Sequence, residues 1–473
     1  MWSGRFREPL NPEFERWQAS FRFDVRLLPQ EVAASKAHAK AIAAAGILSQ
    51  NELAKMLDGL NQVPNSAAEH ATKAVKADAG FPSAVFLPIL NPHAEDIHHF
   101  VELELTKLIG DLALKLHTGR SRNEQIATDM RLFVREAIDI TIAGLRDWSG
   151  ALIELAEQAG DAVIPSYTHL QRAEPVLVAH WLLAYVSMIE RDISRLKDAR
   201  KRMNLCPLGS GAVAGATLTL DRTIAARELG FDGPTRNSMD ATSDRDFMLD
   251  FTQAAATLGV HISRFAEEIT LYSTAEFGFV DLPEAFSTGS SAMPQKKNPD
   301  FTELIRGKSA RLLGASTALA TLIKGLPLAY NKDLQEGQEQ LFDAADTITG
   351  ILGILPGFTR ALRFRCDRMK AAATTGYLNA MAAATYLSNK GVPFRKAHEI
   401  IGNAVRLGLE TNRELNELHL NELRGLSDAF DEDFFDAITL EATLDCHDVF
   451  GGTARARVAE ALAAVRRNLG ENN

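Results

Sequence analysis

Apolar residues recur at steps of three and four positions along most of the chain. Between residues 126 and 138, the apolar side chains Ile126, Met130, Val134 and Ile138 form one such series. This spacing places them on one face of an α-helix, as successive helical residues are rotated by about 100°. The alternation of apolar and polar residues that is typical of strands is scarce. The pattern therefore predicts an all-α fold.

The longest interruptions of the helical pattern divide the chain into three regions. Residues 63–93 lack a sustained helical period and predict a long connection with at most one short helix. A second break falls at residues 361–376. We therefore expect helical regions over residues 1–118, 119–365 and 366–473.

Residues 176–190 are apolar on more than one side of the predicted helix. Such a helix is usually central in a large bundle or lies at an interface between subunits. The middle region is therefore expected to be a bundle of long helices.

Composition and charge narrow the class of protein. The chain has 473 residues, of which 46% are hydrophobic and 24% charged, as is typical of a soluble globular protein. The first residues lack the apolar segment of a secretory signal, and no apolar run is long enough to span a bilayer. The net charge of −10 argues against non-specific binding of nucleic acid. Three scattered cysteines fit neither a zinc site nor a disulfide framework and indicate a reducing cytoplasm.

Two polar segments precede long apolar helices. In HTGRSRNEQ (117–125), Ser121 and Glu124 have the spacing of a capping box, and Arg122 and Asn123 lie in the first helical turn. The free N–H groups of that turn favour an anion, although solvated arginines at a capped helix start are the simpler interpretation. In PSYTHLQRAEP (165–175), His169 suits acid–base chemistry near neutral pH, but a lone loop histidine is more often structural.

The segment STGSSAMPQKKNPD (287–300) has almost nothing apolar to bury. Asn298 and Pro299 predict the start of a helix that carries Phe301, Leu304, Ile305 and Leu312 inward. The preceding loop, with its glycine, serines and lysines, is expected to be mobile and to close over a negatively charged substrate. The alternative is a solvated surface loop. A further polar segment, YNKDLQEGQE (330–339), would by itself be interpreted as an exposed turn.

HAEDIHH (93–99) concentrates histidines and acids, as a metal site would. It lacks the spacing of two histidines on one helical face, and no complementary cysteine or histidine cluster occurs elsewhere in the sequence. No glycine-rich nucleotide fingerprint is present either. We therefore predict neither a metal nor a cofactor.

Six segments stand out along the chain: TGRSRNEQ (118–125), YTHLQRAEP (167–175), LGSGAVAG (208–215), NSMDATSDRDF (237–247), GSSAMPQKKNP (289–299) and YNKDLQE (330–336). Taken together, these six colinear segments resemble the fumarase/aspartase superfamily and, within it, the argininosuccinate lyase family. The QKKN within GSSAMPQKKNP distinguishes that family from fumarases and aspartases, which usually carry a GKVN-like form. The resemblance extends over practically the whole chain.

The resemblance implies a reversible, cofactor-free cleavage of argininosuccinate to arginine and fumarate, as part of arginine biosynthesis. It implies Ser290 as the catalytic base, His169 as the general acid or its water-relaying partner, and Glu303 as the carboxylate that orients His169. Lys296 would stabilise the anionic form of the serine. The residues implied to hold substrate carboxylates are Ser121, Arg122, Asn123, Thr168, Lys296 and Asn298. Those implied at the arginine portion and the rim are Tyr330, Gln335, Ser20 and Asp96.

The resemblance also implies a homotetramer in which each active site is shared by three subunits.

One position departs from the family pattern: Gln338 stands where a lysine usually contacts a substrate carboxylate. A glutamine donates a hydrogen bond without supplying charge, which implies weaker binding or a compensating cation.

Two alternative functions remain, namely another lyase of the superfamily such as adenylosuccinate lyase, and a non-catalytic, crystallin-like structural protein.

Overall fold

The computed structural model describes residues 6–77 and 94–471, which are predominantly α-helical. The all-α prediction is confirmed. In order along the described chain, the α-helices are α1 Pro12–Gln18, α2 Phe21–Asp24, α3 Leu28–Ala44, α4 Gln50–Ala77, α5 Ile97–Ile109, α6 Arg122–Ala159, α7 Val178–Met203, α8 Arg222–Glu228, α9 Ser238–Ser243, α10 Asp246–Ser273, α11 Asp300–Ile323, α12 Glu336–Leu352, α13 Leu355–Ala361, α14 Cys366–Ala373, α15 Ala380–Asn389, α16 Phe394–Thr411, α17 Leu420–Arg424, α18 Phe434–Ala437, α19 Leu440–Asp445 and α20 Arg455–Glu471.

Short strands form three antiparallel pairs in the described residues, β1 with β2, β3 with β6 and β4 with β5. Their bounds are β1 Val163–Thr168, β2 Gln171–Leu177, β3 Val280–Asp281, β4 Thr288–Gly289, β5 Lys297–Asn298 and β6 Arg363–Phe364. Only the first pair is longer than two residues per strand, so the strands form short local pairs between the helices.

The chain forms two compact units, each built from three stretches of sequence. The first comprises Met1–Thr141, Ser194–Thr257 and Arg311–Ile348. The second comprises Ile142–Ile193, Leu258–Ala310 and Thr349–Asn473. The proposed division into three consecutive regions stays a prediction.

The core of the first unit is built from helices that are distant in sequence. Ala34 and Ala37 of α3 pack with Leu132 of α6 and with Phe231, which follows α8. The predicted apolar stripe of α6 is confirmed, since Ile126, Met130, Val134 and Ile138 are all buried. Burial of this face stabilises the helix that begins at the polar segment 117–125.

The second unit contains an aromatic core and a separate C-terminal cluster. Trp148 meets Phe265 edge to face at 5.5 Å, and its indole N–H donates to Thr359 at 3.2 Å. In the C-terminal cluster, Phe430 and Phe434 pack edge to face at 4.9 Å. Aromatic pairs in this geometry add to the stabilisation from burial.

The prediction of a connection over residues 63–93 was wrong in its first part. Helix α4 continues through Pro64 to Ala77, and residues 78–93 lie outside the described part of the chain. The buried side chains Met56, Leu60 and Val63 hold the helix against its neighbours. Packing thus outweighs the single backbone hydrogen bond that Pro64 removes.

The apolar residues of 176–190 are largely buried within the chain itself, including Leu182, Val186 and Ile189, which agrees with a helix central in a bundle. One expectation about an apolar helix was wrong. Leu304 does not point inward with Ile305 and Leu312, because it is 60% exposed.

One described segment, Lys332–Ala361, is long and apolar enough to cross a membrane, which the sequence analysis did not anticipate. However, 61% of its most apolar stretch is buried inside the protein. Such burial is typical of a core helix in a soluble protein.

Candidate active site

The start of α6 is fixed by the predicted capping box. The backbone N–H of Ser121 donates to Glu124 Oε1 at 3.0 Å, and Ser121 Oγ accepts from the N–H of Asn123 at 3.3 Å. The other carboxylate oxygen of the buried Glu124 accepts from the N–H of Gly211 at 2.9 Å. This second bond, which the sequence analysis missed, joins the LGSGAVAG segment to the helix start.

Gly211 is required by the backbone at this junction. Its φ is +60°, and an added Cβ would lie 2.7 Å from the carbonyl oxygen of Gly215. An L-residue would therefore be both strained and obstructed here. The tight turn lets the N–H of Gly211 reach Glu124.

A cavity of about 580 Å³ lies in front of the α6 start and is lined by residues 119–122 and 211–217. This volume is typical of small-ligand sites, and the N–H groups of the first helical turn favour an anion. The charge of Arg122 is already shared with Asp96 (Nε to Oδ2, 3.4 Å) and with Glu102 (Nη2 to Oε2, 3.6 Å). The cavity therefore depends on the helix start as well as on Arg122 for its preference for anions.

The residues implied at the arginine portion also lie in the first unit. The N–H of Ser20 donates to the carbonyl of Glu95 at 2.9 Å, next to Asp96, which caps α5 by accepting from the N–H of His99 at 2.7 Å. The amide of Gln335 donates to the carbonyl of Gln18 at 2.9 Å. The fold thus brings the segments of Ser20, Asp96 and Gln335 together.

Tyr330 is half-buried and Gln338 is buried. Burial raises the pKa of Tyr330 to about 12, although the nearby Arg245 opposes the shift. Gln338 is only 4% exposed, and within the described residues its Oε1 has no hydrogen-bond partner. A buried amide oxygen without a hydrogen-bond donor is energetically unfavourable. The described residues thus leave room for a donor to Gln338 Oε1.

Behind the cavity lies a buried cluster formed by Glu31, His98 and Asp129, whose ligand atoms lie within 4.8 Å of one another. His98 Nδ1 is 2.7 Å from Glu31 Oε2. Burial and the adjacent Glu31 raise the pKa of Asp129 well above its usual value. Burial acts to raise the pKa of Glu31 too, but His98 and Arg120 lower it overall. The cluster therefore favours ionisation of Glu31 over that of Asp129.

A histidine and two carboxyl groups are a donor set that suits a metal, and sequence spacing did not reveal this cluster. Arg120 lies beside the cluster: its Nη1 donates to Ser35 Oγ at 2.9 Å and lies 3.9 Å from Glu31 Oε1. Arg120 immediately precedes Ser121. The cluster therefore anchors the segment that forms the cavity wall.

The segment of Thr168 and His169 is a β-hairpin in the second unit, where the sequence analysis expected a loop. Thr168 pairs with Gln171 across a two-residue turn formed by His169 and Leu170, both at positive φ (56° and 57°). Turns of this kind match the twist of the two strands that they join. The hairpin presents Thr168 and His169 at its exposed tip.

The segment 287–300 is a loop closed at its base by β4 and β5. Asp300 Oδ2 accepts from the hydroxyl of Thr288 at 2.7 Å, and the amide of Asn298 donates to the carbonyl of Gly289 at 3.3 Å. Helix α11 begins at Asp300, one residue after the predicted first helical residue, Pro299. Lys296 and its neighbours in the loop are exposed. A loop that is held at its base and exposed at its tip is suited to move onto a substrate.

Within that loop, Ser290 Oγ accepts hydrogen bonds from the backbone N–H groups of Ala292 at 3.3 Å and Met293 at 3.1 Å. Donors aimed at an oxygen favour its anionic form. The sequence analysis expected Lys296 and the helix start to provide this stabilisation. The loop's own turn provides part of it.

Glu303 lies in the first turn of α11 and is exposed, with Oε1 3.9 Å from Arg306 Nη2. The described part of the chain shows no hydrogen bond from His169 to Glu303 or to Ser290. The implied roles of these three residues therefore stay predictions.

The helical fold and the site define a lyase of the fumarase/aspartase superfamily. The sequence matches the family described as lyase over residues 4–314 and the argininosuccinate lyase C-terminal family over residues 377–445. Among solved structures, EDDS lyase in a variant with bound fumarate superposes with a TM-score of 0.80 at 25% identity, covering 98% of this chain and 91% of that one. A fumarate lyase from Mesorhizobium sp. BNC1, 19% identical, shares the fold with a TM-score of 0.71 over 96% of this chain and 100% of the other.

Curated relatives define the family within that class. The argininosuccinate lyase of Acidobacterium capsulatum is 62% identical over 100% of this chain and 95% of its own length. That of Koribacter versatilis is 55% identical over 99% of this chain and 97% of its own length. The chain belongs to the argininosuccinate lyase family and is a carbon–nitrogen lyase.

Proposed function

We propose that the protein cleaves argininosuccinate reversibly to L-arginine and fumarate, in the biosynthesis of arginine. The observation that carries the proposal is the 62% identity to an argininosuccinate lyase over the whole chain. The cavity at the start of α6 supports it, because helix N-termini favour anions and the substrate carries three carboxylates. We place the compartment in the cytoplasm, in keeping with three free cysteines.

In the proposed reaction, Ser290 removes a proton from the succinate carbon beside a carboxylate. The electron pair spreads onto that carboxylate, which cations and N–H donors stabilise. The pair then forms the double bond of fumarate as the bond to the guanidino nitrogen breaks. His169 gives the departing nitrogen a proton, directly or through water, and arginine leaves.

Mixing the purified protein with argininosuccinate and recording fumarate by its ultraviolet absorbance tests this proposal. Adenylosuccinate in a parallel cuvette tests the related lyase. Fumarate from argininosuccinate alone supports the proposal. A folded protein that is silent with argininosuccinate contradicts it, and points to adenylosuccinate lyase if the second cuvette responds or to a structural protein if neither does.

We further propose that the active protein is a homotetramer with active sites shared by three subunits. The long helices α6, α10 and α11 each expose a large apolar side chain, namely Ile140, Val260 and Leu304. Exposed apolar side chains on such helices are suited to contacts between subunits.

The tetramer makes a prediction about dilution. Because an isolated chain would hold an incomplete site, turnover per chain should fall in parallel with the loss of the tetramer in light scattering. A monomer with full turnover would exclude shared sites.

Gln338→Lys should lower the KM for argininosuccinate. The added cation restores a charge-assisted hydrogen bond to a carboxylate, worth about tenfold in KM. Gln340→Lys is the matched control, because it makes the same change two residues along α12, on a different face of the helix. A KM that is unchanged or higher in Gln338→Lys, or equally lowered in Gln340→Lys, would remove residue 338 from substrate binding.

A further inference from the structure

The second unit contains a small cavity of about 230 Å³ between β2, the end of α14 and α19. Its wall is largely apolar and includes Pro175, Leu378 and Ile438, which are all buried. Within the described residues, no charged side chain lines it. An apolar cavity of about 150 Å³ is sufficient to hold benzene. This cavity therefore has room for a small ring that carries a polar substituent.

Thr443, in α19, gives the cavity a buried polar group. The residue is 2% exposed, and its Oγ1 forms no hydrogen bond with any described residue. A helical threonine often satisfies its hydroxyl on the carbonyl one turn earlier, as Thr359 does with Leu355 at 2.8 Å. A buried hydroxyl without a partner is unfavourable, because it has lost its hydrogen bonds to water. A ligand with a hydrogen-bonding group would satisfy Thr443.

The chemistry of the lining restricts the ligand. An ion buried without a counter-charge is strongly disfavoured, and the lining supplies none. A hydroxyl is both donor and acceptor, so a ligand hydroxyl pairs with Thr443 Oγ1 in either direction. The expected ligand is therefore a small neutral molecule of the phenol or alcohol type. The substrate of the proposed function, with its three carboxylates, does not suit this lining.

The rim of the cavity is polar and exposed. Thr374, Asn416 and Thr439 line the cavity and are exposed, whereas Thr443 is buried. The rim thus gives a ligand access from solvent.

The cavity also borders the hairpin that carries His169. Pro175 of β2 lines it. Nearer the tip of the hairpin, Arg172 Nη1 donates to the carbonyl of Ala372 at 3.2 Å, at the end of α14. The next residue, Ala373, lines the cavity too. A ligand there would contact both the hairpin and the helix end to which the hairpin is bonded.

We propose that this cavity binds a small neutral molecule with an apolar body and one hydroxyl group, which forms a hydrogen bond with Thr443 Oγ1. Because the ligand lies between β2 and the end of α14, its binding stabilises the docking of the hairpin on that helix. Binding is independent of the proposed cleavage of argininosuccinate, which turnover measures separately.

Phenol and benzene are the probes, because they share a ring and differ by the hydroxyl. Their dissociation constants are measured by NMR titration with the whole protein. Wild type should bind phenol about fivefold more tightly than benzene, which corresponds to one hydrogen bond. Thr443→Val removes the hydroxyl and keeps the shape of the side chain. It should weaken phenol binding about fivefold and leave benzene binding equal or tighter.

Ser388→Ala is the matched control. Ser388 Oγ, in α15, is also buried without a hydrogen-bond partner among the described residues, but Ser388 does not line the cavity. Its variant should bind both probes as wild type does. The Tm of Thr443→Val should equal or exceed that of wild type, because a methyl group replaces an unpaired buried hydroxyl. Weaker phenol binding would then not result from unfolding.

Hydrogen exchange tests the link to the hairpin. Phenol at its wild-type Kd should slow the exchange of the amides in β1 and β2, because a ligand that binds the docked arrangement makes opening less frequent. At the same phenol concentration, exchange in Thr443→Val should slow less, since fewer cavities are occupied.

Three results would overturn the binding site: wild type that binds no phenol, wild type that binds phenol and benzene equally, or phenol binding that is unaffected by Thr443→Val. Phenol binding without slower exchange in β1 and β2 would overturn the link between the cavity and the hairpin.

Discussion

Ser290→Ala should lower the turnover of argininosuccinate by about 100- to 10,000-fold, the usual contribution of a positioned base. The substitution removes the Oγ that accepts from the N–H groups of Ala292 and Met293. Those donors are the groups that favour the anionic serine needed to take a proton from carbon. The loop is exposed and closed by Thr288 and Asp300, so the fold should be unchanged.

Ser291→Ala is the control for that experiment. It makes the same change one residue further along an exposed loop and should retain turnover close to that of wild type. Stopped turnover in Ser291→Ala with activity retained in Ser290→Ala would transfer the base to the second serine. Circular dichroism and light scattering establish that both variants are folded and equally assembled.

His169→Asn should also lower turnover by about 100- to 10,000-fold, because asparagine is unable to give a proton to the departing nitrogen. The backbone of His169 has a φ of 56°, a conformation that asparagine tolerates better than most residues. The hairpin should therefore keep its shape, and a loss of turnover would reflect the missing proton donor. The measurement is kcat, with thermal melting to establish that the hairpin variant is folded.

His398→Asn provides the matched substitution. His398 lies exposed on α16, away from the segments assigned to the site, and its variant should have wild-type kcat. Near-native kcat in a folded His169→Asn variant would remove His169 from the proton transfer and leave it a structural role at the turn.

The residues implied at the site are distributed over the two compact units. Ser20, Asp96, Tyr330 and Gln335 belong to the first unit, whereas His169, Ser290 and Glu303 belong to the second. Each unit is built from three stretches of sequence, so residues of the two units alternate along the chain.

Features that depend on neighbours along the chain were predictable from the sequence. The helical period predicted the buried face of α6, and the spacing of Ser121 and Glu124 predicted its cap. The polar segments marked the residues that resemble those of the argininosuccinate lyase family. These signals are local, since helix formation and capping act over three or four residues.

Features that depend on contacts between distant residues became visible in the folded protein. Packing continued α4 through Pro64, and strand pairing turned the segment of His169 into a hairpin. The bond between Asp24 and Ile97 joins residues 73 positions apart, and burial there raises the pKa of Asp24 to about 7. Burial and electrostatic repulsion arise from what the fold places around a group, so no pattern in the neighbouring sequence could reveal them.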